Sequence, residues 1–230
     1  MTLTIEDGVQ VLFNVNQYFN IYGHLAATGT AGSGVVFAPN GAVSWTGLSF
    51  RGAGSGDLNY CTIEGATYGV WGVSSGAVAI SHSELRNNSY GVRGENGLIE
   101  LASVSLHDNT SYGFYSSGAG LTLVDADVTC NDNSTGLYVA NVPGLTLTAG
   151  VVCTGNGTGI ALQNCNGALI DNAVVTGNTS SGMTFSDCGL FTLGAGNTIG
   201  GVGLENGWPL TITYGSSPAP ECVIPTTGNV

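Results

Sequence analysis

The chain has 230 residues and a formal net charge of −12, and its only basic side chains apart from His are Arg51, Arg86 and Arg93. So little positive charge argues against binding to nucleic acid or to anionic lipid. The length suits one domain, no segment is apolar over a membrane-spanning length, and abundant Gly, Thr, Asn and Val predict an all-β protein.

Residues 2–11 have strand character, and further along the chain repeats itself. Six segments place a Gly between a polar turn and an apolar residue, at intervals of 22 or 23 residues: Gly69, Gly91, Gly113, Gly136, Gly159 and Gly182. Regular spacing over six copies is typical of a repeat architecture.

An Asn precedes each of these glycines from the second unit onward, whereas the first unit has Ala66. Asn tolerates left-handed backbone and therefore suits a tight corner. The same side chain on successive turns can also hydrogen-bond to its copies above and below. The predicted corner residues are Asn88, Asn109, Asn131, Asn156 and Asn178.

Apolar and polar residues alternate between the corners, which is the period of a β-strand. In two successive units the residues predicted to face inward are Ile99, Leu101, Val104 and Leu106, then Leu121, Leu123, Ala126 and Val128. A unit this short cannot bury its own apolar face, whereas stacked units bury it continuously. The pattern therefore predicts a solenoid with turns of about 22 or 23 residues.

The pattern of Asn, a few polar residues and then Gly-Ile or Gly-Val resembles the parallel β-helix repeat of the pectate-lyase-like superfamily. Segments 3–9, 23–30, 36–37, 45–50 and 58–64 are similar to the opening turns of its secreted members. The resemblance covers residues 1–207 and implies a right-handed, single-stranded parallel β-helix. It says little about activity, because the motif encodes corners and core.

Enzymes of this superfamily carry their catalytic residues on outward-facing strand positions. Pectate-type lyases use a basic residue as Brønsted base together with calcium. Polygalacturonase-type hydrolases carry Asn-Thr-Asp, Asp-Asp, His-Gly and Arg-Ile-Lys strings, and none of these occurs in this sequence. The absence argues against a standard enzyme of the superfamily.

The remaining catalytic candidates lie on one outward polar column: Glu84, Asp127, His82 and His107. Counting by repeats predicts that Glu84 and Asp127 match two turns apart, at about 9 to 10 Å, near the upper limit for an inverting pair of carboxylates. A solvated face with surface ion pairs is the alternative. Residues 131–133 with Asp125 and Asp127 form a candidate calcium site of unfamiliar spacing. No motif indicates another metal or cofactor.

A second outward column lies two residues after each repeat Gly: Trp71, Arg93, Tyr115 and Tyr138. Aromatic rings and a guanidinium plane suit a sugar-binding surface, and an elongated stripe suits a polymer. Two alternatives are a stripe that only stabilises the turns by cross-strand stacking and an interface with a neighbouring domain.

Four cysteines form two pairs with repeat spacing, Cys130 with Cys153 and Cys165 with Cys188. Each pair is predicted to occupy matching positions on adjacent turns, about 4.8 Å apart. Disulfides and a buried ladder of thiols both fit this distance.

The repeat fades from residue 208, so residues 208–230 are predicted to form a terminal strand and a Pro- and Ser-containing tail or linker. We interpret the chain as a non-catalytic β-helix, extracellular or on the cell surface, with a structural, adhesive or glycan-binding role. The alternatives are a polysaccharide-active lyase or glycoside hydrolase, and a filament or envelope protomer that stacks through its ends. The expected partners are a polysaccharide or cell-surface glycan and other copies of the chain.

Overall fold

The computed structural model describes residues 1–118, 120–123, 127–200, 205–213 and 221–223. Within these ranges the chain forms strands and turns and contains no helix. Paired strands run parallel, and consecutive strands of the chain belong to different sheets. The chain therefore winds as a parallel β-solenoid of about nine turns, and the all-β solenoid predicted from the repeat is confirmed.

Each turn passes through three sheets in succession. Sheet 1 opens the first six turns and contains β1 (Thr2–Ile5), β4 (His24–Thr28), β7 (Ser55–Asn59), β10 (Ala77–Ser81), β13 (Leu98–Ala102) and β16 (Gly120–Leu123). From the seventh turn its place is taken by sheet 4, with β19 (Thr146–Leu147), β22 (Ala168–Ile170), β25 (Leu190–Leu193) and β28 (Glu221–Val223).

Sheets 2 and 3 run along all nine turns. Sheet 2 contains β2 (Gln10–Phe13), β5 (Val35–Pro39), β8 (Cys61–Glu64), β11 (Glu84–Arg86), β14 (Ser105–His107), β17 (Thr129–Asn131), β20 (Val152–Thr154), β23 (Val174–Thr176) and β26 (Thr198–Ile199). Sheet 3 contains β3 (Tyr18–Ile21), β6 (Trp45–Arg51), β9 (Ala66–Val73), β12 (Tyr90–Glu95), β15 (Tyr112–Ser117), β18 (Thr135–Ala140), β21 (Thr158–Gln163), β24 (Ser181–Ser186) and β27 (Trp208–Thr213).

The sheets enclose one continuous apolar core. The inward residues predicted by alternation are buried where the structure describes them: Ile99, Leu101, Val104, Leu106, Leu121 and Val128. Residues 124–126, among them Asp125 and Ala126, and the side chain of Leu123 lie outside the described residues. Burial of one apolar face from turn to turn is what stabilises a solenoid whose single turns could not fold alone.

A ladder of buried Asn side chains runs along the corner between sheets 2 and 3. Each carboxamide oxygen accepts a hydrogen bond from a backbone N–H one turn earlier, and each Nδ2 donates to a strand carbonyl of that turn. The members are Asn88, Asn109, Asn133, Asn156, Asn178 and Asn206. The ladder satisfies backbone groups at a corner where no β-strand neighbour can do so.

Asn133 rather than Asn131 belongs to this ladder, so the assignment of Asn131 from the sequence is wrong. Asn133 is 4% exposed and its Oδ1 accepts from the N–H of Asn109 at 3.0 Å. Asn131 ends β17, and its Oδ1 faces outward and accepts from the N–H and Oγ1 of Thr154 at 3.3 and 2.9 Å. One residue separates these asparagines, and only the second falls at the corner.

Close contact between turns explains the six repeat glycines. A Cβ atom at Gly136 would lie 2.7 Å from the carbonyl oxygen of Gly159, and 3.0 Å from Nδ2 of Asn156. The other five meet a carbonyl oxygen of the next turn at 2.5 to 2.7 Å in the same way. None of the six has a positive φ; the left-handed positions are occupied by other glycines and by non-Gly residues that are mainly Asn, Asp and Ser. The repeat therefore marks the place where adjacent backbones come closest.

The two ends of the described solenoid differ. At the N-terminal end β1, β2 and β3 each pair with one described neighbour, and Leu12 and Val15 are about half exposed. Stacking of copies through such an edge stays a prediction. At the other end β27 and β28 continue sheets 3 and 4 beyond residue 207, while residues 214–220 and 224–230 of the predicted tail lie outside the described residues.

Candidate functional site: an aromatic platform

The outer face of sheet 3 carries the predicted aromatic column in continuous register. Trp71 lies opposite Arg93, Arg93 opposite Tyr115, and Tyr115 opposite Tyr138, on strands β9, β12, β15 and β18. The rings of Tyr115 and Tyr138 stack in parallel, with centroids 5.0 Å apart and an interplanar angle of 6°. Alternation along four parallel strands brings these flat side chains onto one surface.

A second column of tyrosines widens this surface at the corner side. Tyr68, Tyr90 and Tyr112 are in register on β9, β12 and β15. Their ring centroids are 5.1 to 5.2 Å apart along the column, and Tyr112 meets Tyr115 edge to face. We call the two columns together the aromatic platform; it comprises Tyr68, Trp71, Tyr90, Arg93, Tyr112, Tyr115 and Tyr138.

Arg93 lies at the centre of the platform. Its guanidinium carbon is 5.0 to 5.5 Å from the ring centroids of Tyr68, Tyr90, Trp71 and Tyr115, so cation–π attraction holds the rings around it. Two guanidinium nitrogens lie 2.6 and 3.1 Å from Oε1 of Glu95, and Nη1 donates to the hydroxyl of Tyr68 at 3.1 Å.

Sequence reasoning missed Glu95 and Arg51 as part of this site. Oε2 of Glu95 accepts from the indole N–H of Trp71 at 3.1 Å, so one carboxylate fixes both Trp71 and Arg93. Arg51 lies 4.9 Å from the Trp71 ring and extends the surface towards β6. Glu95 follows Arg93 by two residues on the same face, a spacing from which strand alternation could have identified it.

The platform side chains are half-buried. Burial raises the pKa of Tyr90 and of Tyr138 above the usual tyrosine value, which keeps both hydroxyls protonated at neutral pH. The hydroxyl of Tyr138 donates to Oε1 of Gln163 at 2.5 Å. The surface thus combines half-exposed aromatic rings with uncharged hydroxyl donors and acceptors.

The polar column on sheet 2 forms a separate ion-pair cluster. His107 lies between two carboxylates, with Nε2 2.7 Å from Oε1 of Glu84 and Nδ1 2.6 Å from Oδ2 of Asp108. Arg86 links Glu84 to Glu64, with contacts of 3.2 and 3.0 Å. Glu84 therefore contacts both His107 and Arg86.

Asp127 is not in the column of Glu84, and the predicted carboxylate pair is wrong in register. Glu84 pairs with Ser105, and Ser105 pairs with Thr129. The second interval is three residues longer than the first, which places Thr129 where counting by repeats predicted Asp127. His82 was expected to alternate with Glu84 along one strand, but it lies before β11 at a corner with φ of 47°.

The stability of the protein is expected to fall as pH rises through the pKa of His107. Partial burial of the ring opposes its protonation, but hydrogen bonds to Asp108 and Glu84 outweigh burial and raise the pKa of His107 above its ordinary value. A raised pKa in the folded state means that this stabilisation is complete below the unfolded value of about 6.5 and is lost above the folded one.

Urea titrations of the wild type and of His107→Gln at about pH 6 and about pH 8 test this expectation. At about pH 6 the wild type should be more stable than His107→Gln, by no more than about 1 kcal/mol because the ion-pair cluster is partly exposed. The difference in free energy of unfolding should shrink at the higher pH. A difference that grows with pH would contradict the assignment.

A polar cleft of about 240 Å³ opens beside Glu84 and is lined also by Thr30, Thr62, Tyr60 and His82. The His82 ring stacks on Tyr60 at 4.7 Å, and its Nδ1 lies 3.0 Å from Oδ1 of Asn59. An amide oxygen can only accept a hydrogen bond, so Nδ1 of His82 is the donor in this contact. The cleft is separate from the platform, which lies on another sheet.

The match to known families agrees with this architecture. A family model described as a right handed beta helix region matches residues 46–207. The chain belongs to the right-handed β-helix family. The handedness and the fold implied by the resemblance to pectate-lyase-like proteins are thereby confirmed.

Solved structures with a similar fold include enzymes from Azotobacter vinelandii. The A-module of mannuronan C-5 epimerase AlgE4 has a TM-score of 0.56 and 13% sequence identity, over 100% of this β-helix and 90% of that chain. The A-module of mannuronan C-5 epimerase AlgE6 has a TM-score of 0.46 and 10% sequence identity, over 99% of this β-helix and 80% of that chain. Pectate lyase Pel9A has a TM-score of 0.42 and 14% sequence identity, over 98% of this β-helix and 70% of that chain. At these identities only the fold is shown, and no curated protein matches by sequence.

The described part of this β-helix includes no helix of the length and apolarity needed to cross a membrane. Of the candidate calcium ligands, Asp125 lies outside the described residues and Asn133 is committed to the buried ladder. Among the residues with described positions, no three His, Cys, Asp or Glu side chains converge as metal ligands. Calcium binding therefore stays a prediction, without Asn133 as a ligand.

The two cysteine pairs occupy the stacked positions that the repeat predicts. Cys130 lies opposite Cys153, and the N–H of Cys165 is 3.3 Å from the sulfur of Cys188. All four are buried and present as free thiols in this structure. A hydrogen bond with Cys130 and burial raise the pKa of Cys153 well above the usual thiol value, so this thiol resists ionisation. Disulfide formation in the native environment stays an open prediction.

Proposed function

We propose that this β-helix is a non-catalytic, extracellular or cell-surface domain that binds polysaccharide through the aromatic platform. The single observation that carries the proposal is the continuous column of half-exposed aromatic rings and one guanidinium on adjacent strands of sheet 3. AlgE4, whose fold is similar, is a mannuronan epimerase, so a protein of this shape can present a face to a sugar polymer.

The shape of the platform suits an extended polymer. With Arg51 it runs over β6, β9, β12, β15 and β18, four strand spacings or about 19 Å. It is an open strip, whereas sites for small molecules are usually concave. Half-exposed aromatic rings offer apolar surface to the C–H groups of sugars, and tyrosine hydroxyls can exchange hydrogen bonds with sugar hydroxyls.

Cross-strand packing alone would also produce stacked rings, and mutation separates the two roles. We expect Trp71→Ala and Tyr115→Ala each to weaken polysaccharide binding by about 10- to 100-fold, as for aromatic residues at the centre of an interface. Binding should be measured on a glycan array and then by calorimetry with the best ligand.

Trp208→Ala is the matched control, because Trp208 is 69% exposed on β27 and lies outside the platform. Its affinity should equal that of the wild type. Unchanged affinity in Trp71→Ala and Tyr115→Ala, or equal loss in Trp208→Ala, would remove the platform as the binding site. Circular dichroism of each variant shows whether the fold is retained.

A polysaccharide-active enzyme is the second candidate, favoured by the cleft beside Glu84. In this alternative Nε2 of His82 serves as a base and Tyr60 lines the same cleft. Release of new reducing ends or unsaturated sugars, lost in both His82→Gln and Glu84→Gln but kept in Trp208→Ala, would support it. No release from a panel of neutral and acidic polysaccharides, or release that survives both substitutions, would eliminate this site.

A further inference from the structure

The charges of the platform are compensated within the protein, and this bears on which glycans it accepts. Arg93 gives two contacts to Oε1 of Glu95, the shorter at 2.6 Å, and a third to the hydroxyl of Tyr68. Oε2 of Glu95 is occupied by the indole N–H of Trp71. The central cation is thus paired with a carboxylate of its own strand, in a site where both side chains are about three-quarters shielded from solvent.

We propose that the platform selects uncharged glycans over polyuronates, and that the Arg93–Glu95 pair sets this preference. The inference rests on the proposed binding function and names its ligand class. A polyuronate carries one carboxylate per sugar, so a segment lying along the platform would bring several negative charges against it. Glu95 already compensates the charge of Arg93, so a uronate carboxylate that approaches meets a neutral pair; drawing the guanidinium away would leave Glu95 partly buried without its cation.

The remaining cation cannot compensate a polyuronate. Arg51 lies at one end of the strip, its Nε donates to Oδ1 of Asn20, and its guanidinium faces the Trp71 ring. With Arg93 and Glu95 cancelling, the strip carries about one positive charge, on a protein whose formal net charge is −12. At low ionic strength the net negative charge of the whole protein also repels a polyuronate, in addition to the shortage of positive charge on the strip. An uncharged glycan meets neither obstacle, and the half-exposed rings and the hydroxyls of the platform stay available to it.

Calorimetric titration with oligosaccharides of equal length tests the preference. The probes are uncharged gluco- and mannohexaoses and the hexamers of mannuronate and galacturonate, at low and at high salt, in EDTA and in calcium. We expect at least about a tenfold preference for an uncharged hexamer. Its affinity should be insensitive to salt. In Glu95→Gln, which frees the charge of Arg93, we expect the preference to narrow through tighter uronate binding.

Glu100→Gln is the matched control. It changes the net charge by the same amount, but Glu100 lies on β13 in sheet 1, away from the platform. Its preference should remain that of the wild type. Uronate binding as tight as or tighter than neutral binding, with or without calcium, would overturn the inference; if that binding needed Trp71, the platform itself would stand. An equal change in Glu95→Gln and Glu100→Gln would also overturn it, and absence of binding to every hexamer would overturn both this inference and the proposed function.

Discussion

Replacement of Asn156 by alanine is expected to lower the free energy of unfolding by about 3 to 4 kcal/mol. Two buried backbone groups, the N–H of Asn133 and the carbonyl of Cys130, lose a partner at about 1 to 3 kcal/mol each. Oδ1 of Asn156 accepts from the N–H and Nδ2 of Asn133 at 2.9 and 3.1 Å. Its Nδ2 donates to the carbonyl of Cys130 at 2.8 Å and to Oδ1 of Asn178 at 3.0 Å. No water can replace these bonds in a side chain of 0% exposure without opening the corner.

Asn131→Ala is the matched control in the same region of the chain. Asn131 accepts from Thr154 on the outer face, where solvent can take its place, so we expect a loss below about 1 kcal/mol. Both variants should be unfolded in urea and followed by circular dichroism. Equal losses in the two variants would contradict the assignment of Asn133 and Asn156 to the ladder.

Replacement of Gly136 by alanine is expected to destabilise the protein by about 2 to 3 kcal/mol through overpacking. The added Cβ would lie 2.7 Å from the backbone oxygen of Gly159, which cannot move away without separating adjacent turns, and 3.2 Å from Cβ of Cys130 in its own turn. Thermal unfolding should therefore begin about 4 to 12 °C lower than in the wild type for a chain of this size.

Gly32→Ala provides the comparison, because its Cβ would meet no atom within 4 Å and its φ is not positive. Both substitutions reduce the freedom of the unfolded chain equally, so the difference between them reports the contact between turns. Gly32→Ala should stay within about 0.5 kcal/mol of the wild type. If Gly136→Ala were as stable as Gly32→Ala, the repeat glycines would need another explanation.

Most of the fold could be predicted from the sequence because a solenoid repeats one local solution. The six glycines recur where the backbones meet, and counting two residues onward placed Trp71, Arg93, Tyr115 and Tyr138 in one column. Register on sheet 3 follows directly from these glycines, since its strands begin beside them.

Register on sheet 2 was harder to predict because turn lengths vary between corners. A longer interval before Thr129 moved Asp127 out of register with Glu84. Asn131 and Asn133 both lie near the corner, and the spacing alone did not show that Asn133 is the ladder residue. The contact between Tyr60 and His82 was not predicted either. Both residues have left-handed backbone at corners of the solenoid, and these corners bring the two rings together. The alternation along a strand predicts which residues share a face, whereas contacts at corners and ion pairs depend on the three-dimensional arrangement of the side chains.

Hydroxyl-radical footprinting with the polysaccharide that binds best tests the central claim most directly, because it reads the platform and the cleft in one experiment. The account predicts severalfold protection of Trp71, Tyr115 and Tyr138, with Tyr22, 68% exposed, and Trp208 labelled equally with and without ligand. Protection of Tyr60 and His82 without protection of the platform would contradict it and would place the binding site in the cleft beside Glu84.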